Sequence, residues 1–299
     1  MTATTGPALI AILCLTSGVA STQPAAPPSV ESGRLPASWP TGAHCPEPDF
    51  QVHEYNPDFV ILRQSGCSNF EKPFLYLLFG HDRSLLVDTG AKGADVASAV
   101  AAARQRWSAL HGGRTLPLVV AHSHGHGDHT AGDAALAAAL ETTVVAATPE
   151  SVERFFHLRD WPTASGTFDL GERVVDIVPI PGHERASIAI YDRRTGILLT
   201  GDTLYPGRLY VRDAPAFELS VRRLVDFTRD KVVTHVLGAH IENARTPYAD
   251  YPEGTTSQPD EHSLELGRAH LLELLDGLQR MNGSIVRRAY RDFTIWPLP

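Results

Sequence analysis

The chain contains little cysteine, little positive charge and no long apolar run. Its 299 residues include three cysteines, and 26 basic residues stand against 34 acidic ones, for a net charge of −8. That charge argues against a nucleic-acid-binding protein, because phosphate recognition generally uses a basic surface. No Gly-x-Ser-x-Gly elbow, phosphate-binding glycine loop or dinucleotide fingerprint occurs, so serine hydrolases and nucleotide-binding proteins are excluded. Histidine, by contrast, occurs 14 times, and its clustering directs the rest of the prediction.

The amino terminus predicts an export signal. An apolar run over residues 7–15 is followed by small residues, and Gly18-Val19-Ala20 fits an A-x-A-like cleavage site. A buried helix or a membrane anchor is the alternative, but the run is too short to cross about 30 Å of hydrocarbon. We therefore expect a periplasmic or secreted protein that is not inserted in a membrane after cleavage. The predicted segments are a signal peptide at residues 1–20, a Pro-rich linker at 21–48 and a single domain at 49–299.

Export also bears on Cys45 and Cys67, the two cysteines that follow the predicted signal. Neither belongs to a C-x-x-C or zinc-finger spacing, which indicates a structural role. Disulfides persist in oxidising compartments, so we expect one bond between these two residues. Two unrelated thiols are the alternative, because a sequence does not give the separation of the two Cα atoms.

The order of elements predicts a mixed α/β domain. Short β-type runs bounded by turn residues first cluster and then alternate with Ala-rich helical patterns, twice over. This order is typical of two sheets packed between helices. No internal repeat and no linker after residue 50 divide the chain, which favours one domain. The predicted helices cover residues 94–110, 134–140, 219–227 and 263–281, and a final strand covers 289–296.

The densest group of histidines lies within residues 119–132. A strand-like run leads into a loop in which single glycines separate the polar residues, and a helical pattern follows. Neutral imidazoles and carboxylates are ligands of zinc and similar cations, and glycine permits the sharp turns that let several side chains converge. A solvated histidine tail is the alternative, but the flanking strand and helix favour a structured metal site. The candidate residues are His122, His124, His126, Asp128 and His129.

The pattern His-x-His-x-Asp-His over residues 124–129 resembles the signature of the metallo-β-lactamase superfamily of binuclear hydrolases. Four further segments resemble the other motifs of that family, in the expected order. The resemblance extends over residues 50 to 245 and implies a single-domain α/β fold, the four-layer αββα sandwich. The four segments are residues 85–90, 181–183, 199–203 and 238–240.

The resemblance implies two divalent metal ions in one cleft. Zn²⁺ is the expected metal, and iron or manganese are the alternatives, because a carboxylate bridge suits these ions as well. The implied ligands are His124, His126 and His183 for the first ion, Asp128, His129 and His240 for the second, and Asp202 as the bridge.

The resemblance also implies a mechanism. Two such cations about 3.5–4 Å apart can share a hydroxide, which would attack an ester, lactone, thioester or amide carbonyl of a small-molecule substrate. Asp128 would in addition accept or shuttle the proton. Asp88 would orient a ligand histidine through its second ring nitrogen. We expect His122 to pack or to support a ligand rather than to bind a metal.

Three residues bear on the substrate. Tyr205 stands three residues after Asp202, where lactonases of the superfamily place a tyrosine that hydrogen-bonds the substrate carbonyl. Acyl-homoserine-type lactones are therefore an alternative substrate class, and simple packing is the alternative role of this ring. A β-lactam is less favoured, because true β-lactamases of the superfamily usually carry Cys or Ser in place of Asp202. His262 lies in a loop expected near the cleft mouth and is a candidate for substrate contact.

Two other classes of protein fit the sequence less well. Residues 86–90 match the Asp-Thr-Gly segment of aspartic proteases, but a pepsin-like chain needs a second such segment and a retroviral-type domain is far smaller. A non-catalytic metal-binding protein would close its coordination sites, as structural zinc sites do. The mixed carboxylate and histidine set leaves positions for water, which favours an enzyme.

Overall fold

The computed structural model describes residues 1–4, 6, 30–39, 41–139 and 141–298. The proposed cleavage site and most of the predicted signal peptide lie outside the described residues, so export stays a prediction. In the part of the chain that is described, no helix is both long and apolar enough to cross a membrane.

Most strands of the described chain belong to two six-stranded sheets, and the helices pack outside them. The strands are β1 (Phe50–Asn56), β2 (Phe59–Gln64), β3 (Phe74–Phe79), β4 (Ser84–Val87), β5 (Leu118–Ala121), β6 (Thr142–Val144), β7 (Gly166–Asp169), β8 (Val174–Pro179), β9 (Ile188–Asp192), β10 (Ile197–Gly201), β11 (Arg208–Val211), β12 (His235–Gly238), β13 (Glu265–Leu266), β14 (Arg288–Ala289) and β15 (Thr294–Pro297). The helices are α1 (Val96–Leu110), α2 (Gly127–Thr130), α3 (Asp133–Ala137), α4 (Pro149–Phe155), α5 (Ala214–Phe227) and α6 (Arg268–Met281).

The sheet topology brings several strand ends to one edge of the molecule. The first sheet has the order β1-β2-β3-β4-β5-β6, the second β13-β12-β10-β9-β8-β7, and a small third sheet β11-β15-β14. Strands β4 and β5 are parallel with Val87 opposite Ala121, and β10 and β12 are parallel with Gly201 opposite Gly238. The segments that follow these pairs therefore leave each sheet side by side.

Three apolar layers confirm the expected four-layer αββα sandwich. Phe59 and Ile61 of the first sheet meet Ile177 and Ile190 of the second between the two sheets. The outer face of the first sheet packs against α1, and the outer face of the second packs against α5 and α6. All six residues of β2 are buried, because both faces of the strand are covered.

Capping residues and strand pairing move the predicted helix ends. Helix α1 begins at Val96 because the Asp95 side chain accepts a hydrogen bond from the Ser98 amide at 3.0 Å. Helix α5 begins five residues earlier than predicted, since Asp213 caps it in the same way. Helix α6 begins five residues later than predicted, because residues 265–266 pair with β12 instead.

Part of the segment predicted as a linker contacts the domain. In the described part of the segment expected to be a linker, Trp39 is only 2% exposed. Its amide donates to Glu261 Oε1 at 3.2 Å, and its carbonyl accepts from Arg63 Nη1 at 2.7 Å. A disulfide joins Cys45 to Cys67 with Cα atoms 5.7 Å apart, as expected. Trp39 and the disulfide thus connect the described part of this segment to the rest of the domain.

Candidate metal centre

The candidate ligands all follow the carboxyl ends of strands. Strands β8, β10 and β12 run in one direction in the second sheet, and β5 ends at the same side of the first. Gly201 has φ +51°, and a Cβ there would lie 2.6 Å from the Ser123 Cβ, so glycine allows the two sheets to approach closely at the centre. The histidine loop follows β5, His183 follows β8, Asp202 follows β10 and His240 follows β12.

A first cluster of potential ligand atoms is formed by His124, His126, His183 and Asp202. The Nδ1 atom of His126 lies 2.9 Å from His124 Nε2 and 3.1 Å from His183 Nε2. Asp202 Oδ2 lies 3.7 Å from His124 Nε2 and 3.5 Å from His183 Nε2. Three imidazoles and a carboxylate oxygen thus face a common point, which is a donor set suited to a divalent cation.

A second cluster is formed by Asp128, His129 and His240. Asp128 Oδ2 lies 3.1 Å from His129 Nε2 and 3.3 Å from His240 Nε2, and the two ring nitrogens are 3.3 Å apart. The short helix α2 presents Asp128 and His129 in succession. Every ligand predicted from the sequence therefore lies in one of the two clusters.

Asp202 lies between the two clusters. Its Oδ2 faces the first cluster, whereas its Oδ1 lies 3.7 Å from His129 Nε2 and 3.5 Å from His240 Nε2 in the second. Oδ1 is buried and has no hydrogen-bond donor. A buried carboxylate oxygen without a donor is costly, so its environment fits a cation better than it fits the protein alone.

The second ring nitrogen of three histidines is held by an acceptor. Nδ1–H donates to Asp88 Oδ2 at 2.9 Å in His129, to the Tyr210 carbonyl at 2.8 Å in His183 and to the Glu71 carbonyl at 2.9 Å in His240. Each bond fixes the Nδ1 proton away from the cluster and directs Nε2 toward it, where a metal ion can replace any Nε2 proton. The contact predicted between Asp88 and a histidine of the loop is present.

The electrostatics of the clusters are those of a cation site. Burial and the neighbouring imidazoles lower the pKa of His124 and of His126. Burial alone would lower the pKa of His240, but Asp202 and Asp128 outweigh it and raise the pKa to about 9. Burial opposes the charge of Asp202 as well, yet His240 and His129 hold the pKa of this carboxyl well below its usual range. Protons on the histidines thus balance the buried carboxylates, and a metal ion can replace them.

Two other histidines considered in the sequence lie outside the clusters. His122 is buried, with Nδ1 3.0 Å from the Val145 carbonyl and Nε2 2.8 Å from Asp133 Oδ1, which matches the packed role expected for it. His262 instead pairs with Asp292 at 3.0 Å and does not line the cleft. The structure therefore does not bring His262 to the substrate, although residues 251–255 of the preceding loop do reach the cleft.

Tyr205 lines the cleft but is almost fully buried, at 1% exposure. Its hydroxyl donates to the Arg208 carbonyl and lies 3.1 Å from Glu242 Oε2. A phenol has one proton to donate, and here the backbone receives it. The geometry therefore argues against the predicted oxyanion role and favours packing.

The cleft above the clusters has a volume of about 670 Å³ and includes residues that the motifs did not point to. Arg208 pairs with Glu242 at 2.7 Å and with Asp250 at 2.9 Å. Burial lowers the pKa of Lys72 to about 8. The position of Glu242, two residues after His240, could have indicated a place in the cleft. Nothing in the local sequence indicates this for Lys72 or Arg208.

The fold and the His/Asp clusters define a metallo-hydrolase. The sequence pattern of the metallo-beta-lactamase superfamily matches residues 71–240, and the chain belongs to this superfamily of hydrolases. Solved structures support the fold: the DIM-1 metallo-beta-lactamase matches with TM-score 0.52 and 15% identity over 78% of this chain and 98% of that one. A metallo-beta-lactamase from Pontibacter korlensis matches with TM-score 0.51 and 16% identity over 77% and 99%.

Curated relatives match over shorter stretches. A hydroxyacylglutathione hydrolase from Anaeromyxobacter dehalogenans is 36% identical over 145 residues, which is 48% of this chain and 49% of that protein. An acyl-coenzyme A thioesterase from Gallus gallus is 32% identical over 75 residues, 24% of this chain and 27% of that protein. The chain thus spans about half the length of the first of these relatives, or less.

Proposed function

We propose that the protein is a hydrolase that binds two divalent metal ions and cleaves a small acyl substrate. Asp202 carries this proposal, because one of its oxygens faces each ligand cluster. A carboxylate in this position can be shared by two cations. Imidazole and carboxylate donors suit Zn²⁺, which we propose as the metal, and they also accept iron or manganese.

Bound cations would polarise the substrate carbonyl and lower the pKa of water toward neutrality. The chain supplies the remaining functions. Hydrogen bonds to Asp88, to the Tyr210 carbonyl and to the Glu71 carbonyl keep three histidine rings in their binding orientation. Asp128 lines the cleft and its side chain is 22% exposed against 8% for Asp202, so we assign to Asp128 the transfer of a proton to the leaving group.

A thioester is the substrate class that we propose first. The curated relatives reported above are named for the hydrolysis of thioesters of glutathione and of coenzyme A. Lactones are the second candidate on sequence grounds, but the engaged hydroxyl of Tyr205 weakens that alternative. The likeness to β-lactamase structures supports the fold alone, so a β-lactam receives no support from it.

The function is tested by metal analysis combined with a substrate panel. We expect purified, zinc-loaded protein to bind about two equivalents of metal and to hydrolyse a hydroxyacyl-glutathione or acyl-coenzyme A thioester. A chelator should abolish turnover and added zinc should restore it. Acyl-homoserine lactone and a β-lactam serve as comparison substrates. Binding of a single equivalent would contradict the binuclear centre, and full loading without any turnover would favour a non-catalytic metal-binding protein.

We also propose that the chain is exported. The disulfide between Cys45 and Cys67 supports an oxidising compartment, where such bonds persist. We expect the expressed protein in the periplasm or medium, with a new amino terminus close to residue 21. Recovery of the uncleaved chain from the cytoplasm would contradict this proposal.

A further inference from the structure

One side of the cleft is formed by residues 251–258, which we call the strap. Tyr251, Thr255 and Gln258 of the strap line the same cleft as His126, Asp128 and His240 of the metal centre. The strap contains neither helix nor strand, and its backbone is joined to Glu242 only at its first residue, where the Tyr251 amide donates to the Glu242 carbonyl at 2.8 Å. Contacts with other parts of the chain must therefore determine where this side of the cleft lies.

The contacts come in part from residues 41–47 and 65–67, which we call the clasp. Oε1 of Glu47 accepts from Thr41 Oγ1 at 2.8 Å, from the Gly42 amide at 2.7 Å and from Ser65 Oγ. The Gly66 amide donates to Thr41 Oγ1 at 2.7 Å. The disulfide between Cys45 and Cys67 closes the two segments on each other.

The clasp contacts the strap through two glycines. Gly42 and Gly66 both pack against the carbonyl of Thr256, and a Cβ at either position would collide with that oxygen. The Gly42 backbone has φ +72°, whereas the Gly66 backbone lies outside the left-handed region. An added methyl at Gly66 therefore tests the contact alone, without backbone strain.

One hydrogen bond to the strap and one ion pair just beyond it provide two further anchors. The Lys72 ammonium donates to the Thr255 carbonyl, next to the residue that the clasp contacts. Three residues beyond the strap, Glu261 forms a buried pair with Arg63, with distances of 2.5 and 2.7 Å. The strap is thus held between the clasp and these two anchors.

We propose that the clasp is a positioning element for the substrate cleft. Glu47 and the Cys45–Cys67 disulfide keep the strap in place as one side of the cleft and so determine substrate affinity. The proposal rests on the hydrolase function argued above. The clasp contributes no atom to either ligand cluster. Its loss therefore raises KM and leaves the metal content and kcat nearly unchanged.

The first test uses variants of the clasp with a hydroxyacyl-glutathione thioester as substrate. Gly66→Ala and Glu47→Ala should each raise KM about tenfold with kcat within about twofold, because the strap is displaced while the chemistry is not. Glu47→Gln keeps a carbonyl oxygen at the position of Oε1, so it should restore most of the affinity. Glu54→Ala removes an exposed carboxylate that pairs with Arg106 elsewhere, and it is the matched control.

The second test is reduction of the disulfide, whose Cys45 is exposed. A water-soluble trialkylphosphine takes oxygen from water to become the phosphine oxide, while the S–S bond gains two electrons and two protons to give two thiols. A phosphine is used because a dithiol would itself bind the metal. We expect reduction to raise KM as in Gly66→Ala, and the Cys45→Ser/Cys67→Ser variant to show the raised KM without responding to phosphine.

Amide hydrogen exchange separates failure of this proposal from failure of the proposed function. We expect faster exchange in residues 251–258 after reduction and in Gly66→Ala and Glu47→Ala, with no change in Glu54→Ala. This readout needs no turnover. Unchanged exchange in the strap, or equal losses of kcat and metal in the clasp variants, would overturn the positioning role. Faster exchange in a protein without thioesterase activity would support the positioning role of the clasp and contradict only the proposed thioesterase function.

Discussion

The metal centre and the strap line the same cleft but are held in different ways. The candidate ligands stand at the ends of buried strands, and acceptors from β-strand ends and adjoining loops hold three of their rings. The strap has no regular structure and depends on residues that lie about 200 positions earlier in the chain. The comparison teaches that the candidate ligands are positioned by strand ends of the fold, whereas the proposed substrate-contacting side of the cleft is positioned by contacts between distant loops.

The largest effect that would sharpen this contrast is expected at Asp202. Mutation of a residue that hydrogen-bonds a metal ligand typically lowers metal affinity or activity by roughly 10- to 100-fold. Asp202→Ala removes a shared ligand itself, so it should lower kcat/KM by about a thousandfold or more. Metal analysis should show fewer than two bound ions. Asp292→Ala, which removes a carboxylate outside the cleft, is the control. Full activity with both metals present in Asp202→Ala would disprove the shared-carboxylate centre.

A smaller effect on the same centre is expected at Asp88. This carboxylate accepts from His129 Nδ1, from the Ser123 amide at 2.7 Å and from Ser123 Oγ at 2.8 Å. Asp88→Asn should weaken metal binding by about 10- to 100-fold, because the amide cannot replace all of these bonds. Competition with a chelator measures the change. Asp82→Asn, at an exposed carboxylate, should leave metal affinity unchanged.

Metal affinity should also depend on pH, because two histidines of the metal centre are protonated in the metal-free protein. In the metal-free protein the pKa of His240 is raised to about 9, and that of His129 is raised as well. The metal-loaded state binds fewer protons, so affinity should rise with pH through the range in which these two histidines lose their protons. Calorimetry at pH 7.5 in buffers of different ionisation enthalpy should detect proton release. Binding without proton release would contradict the protonated metal-free cluster.

The smallest effect is expected at Tyr205, which lies near both regions but belongs to neither. Tyr205→Phe should change kcat/KM for an acyl-homoserine lactone by less than about threefold and lower stability by about 1 kcal/mol, because the lost hydrogen bond is internal. Lactone kinetics and thermal unfolding measure the two quantities. A tenfold loss of lactone turnover with unchanged stability would instead support the oxyanion role.

Part of the fold and most of the candidate centre could be predicted because the signals were local. The ligand spacing over residues 124–129 and the order of the later motifs identify the clusters without knowledge of any contact between distant residues. Helix ends were predicted less well, since Asp213 and the pairing of residues 265–266 with β12 act through particular hydrogen bonds. The oxyanion role predicted for Tyr205 is disfavoured because its hydroxyl donates to the Arg208 carbonyl instead. Only the turn after β10 brings this acceptor into reach.

The sequence by itself determined a mixed α/β domain through its apolar patterning, and its short motifs carried the resemblance that implies the superfamily, the αββα layering and the candidate ligands. Only the tertiary structure decided that Asp202 turns one oxygen to each cluster, that Trp39 packs on the domain and that Gly42 and Gly66 contact Thr256. These contacts join residues far apart in the chain. Their energy depends on distances and burial that no local pattern records, so they follow from the packing of the two sheets and the loops between them.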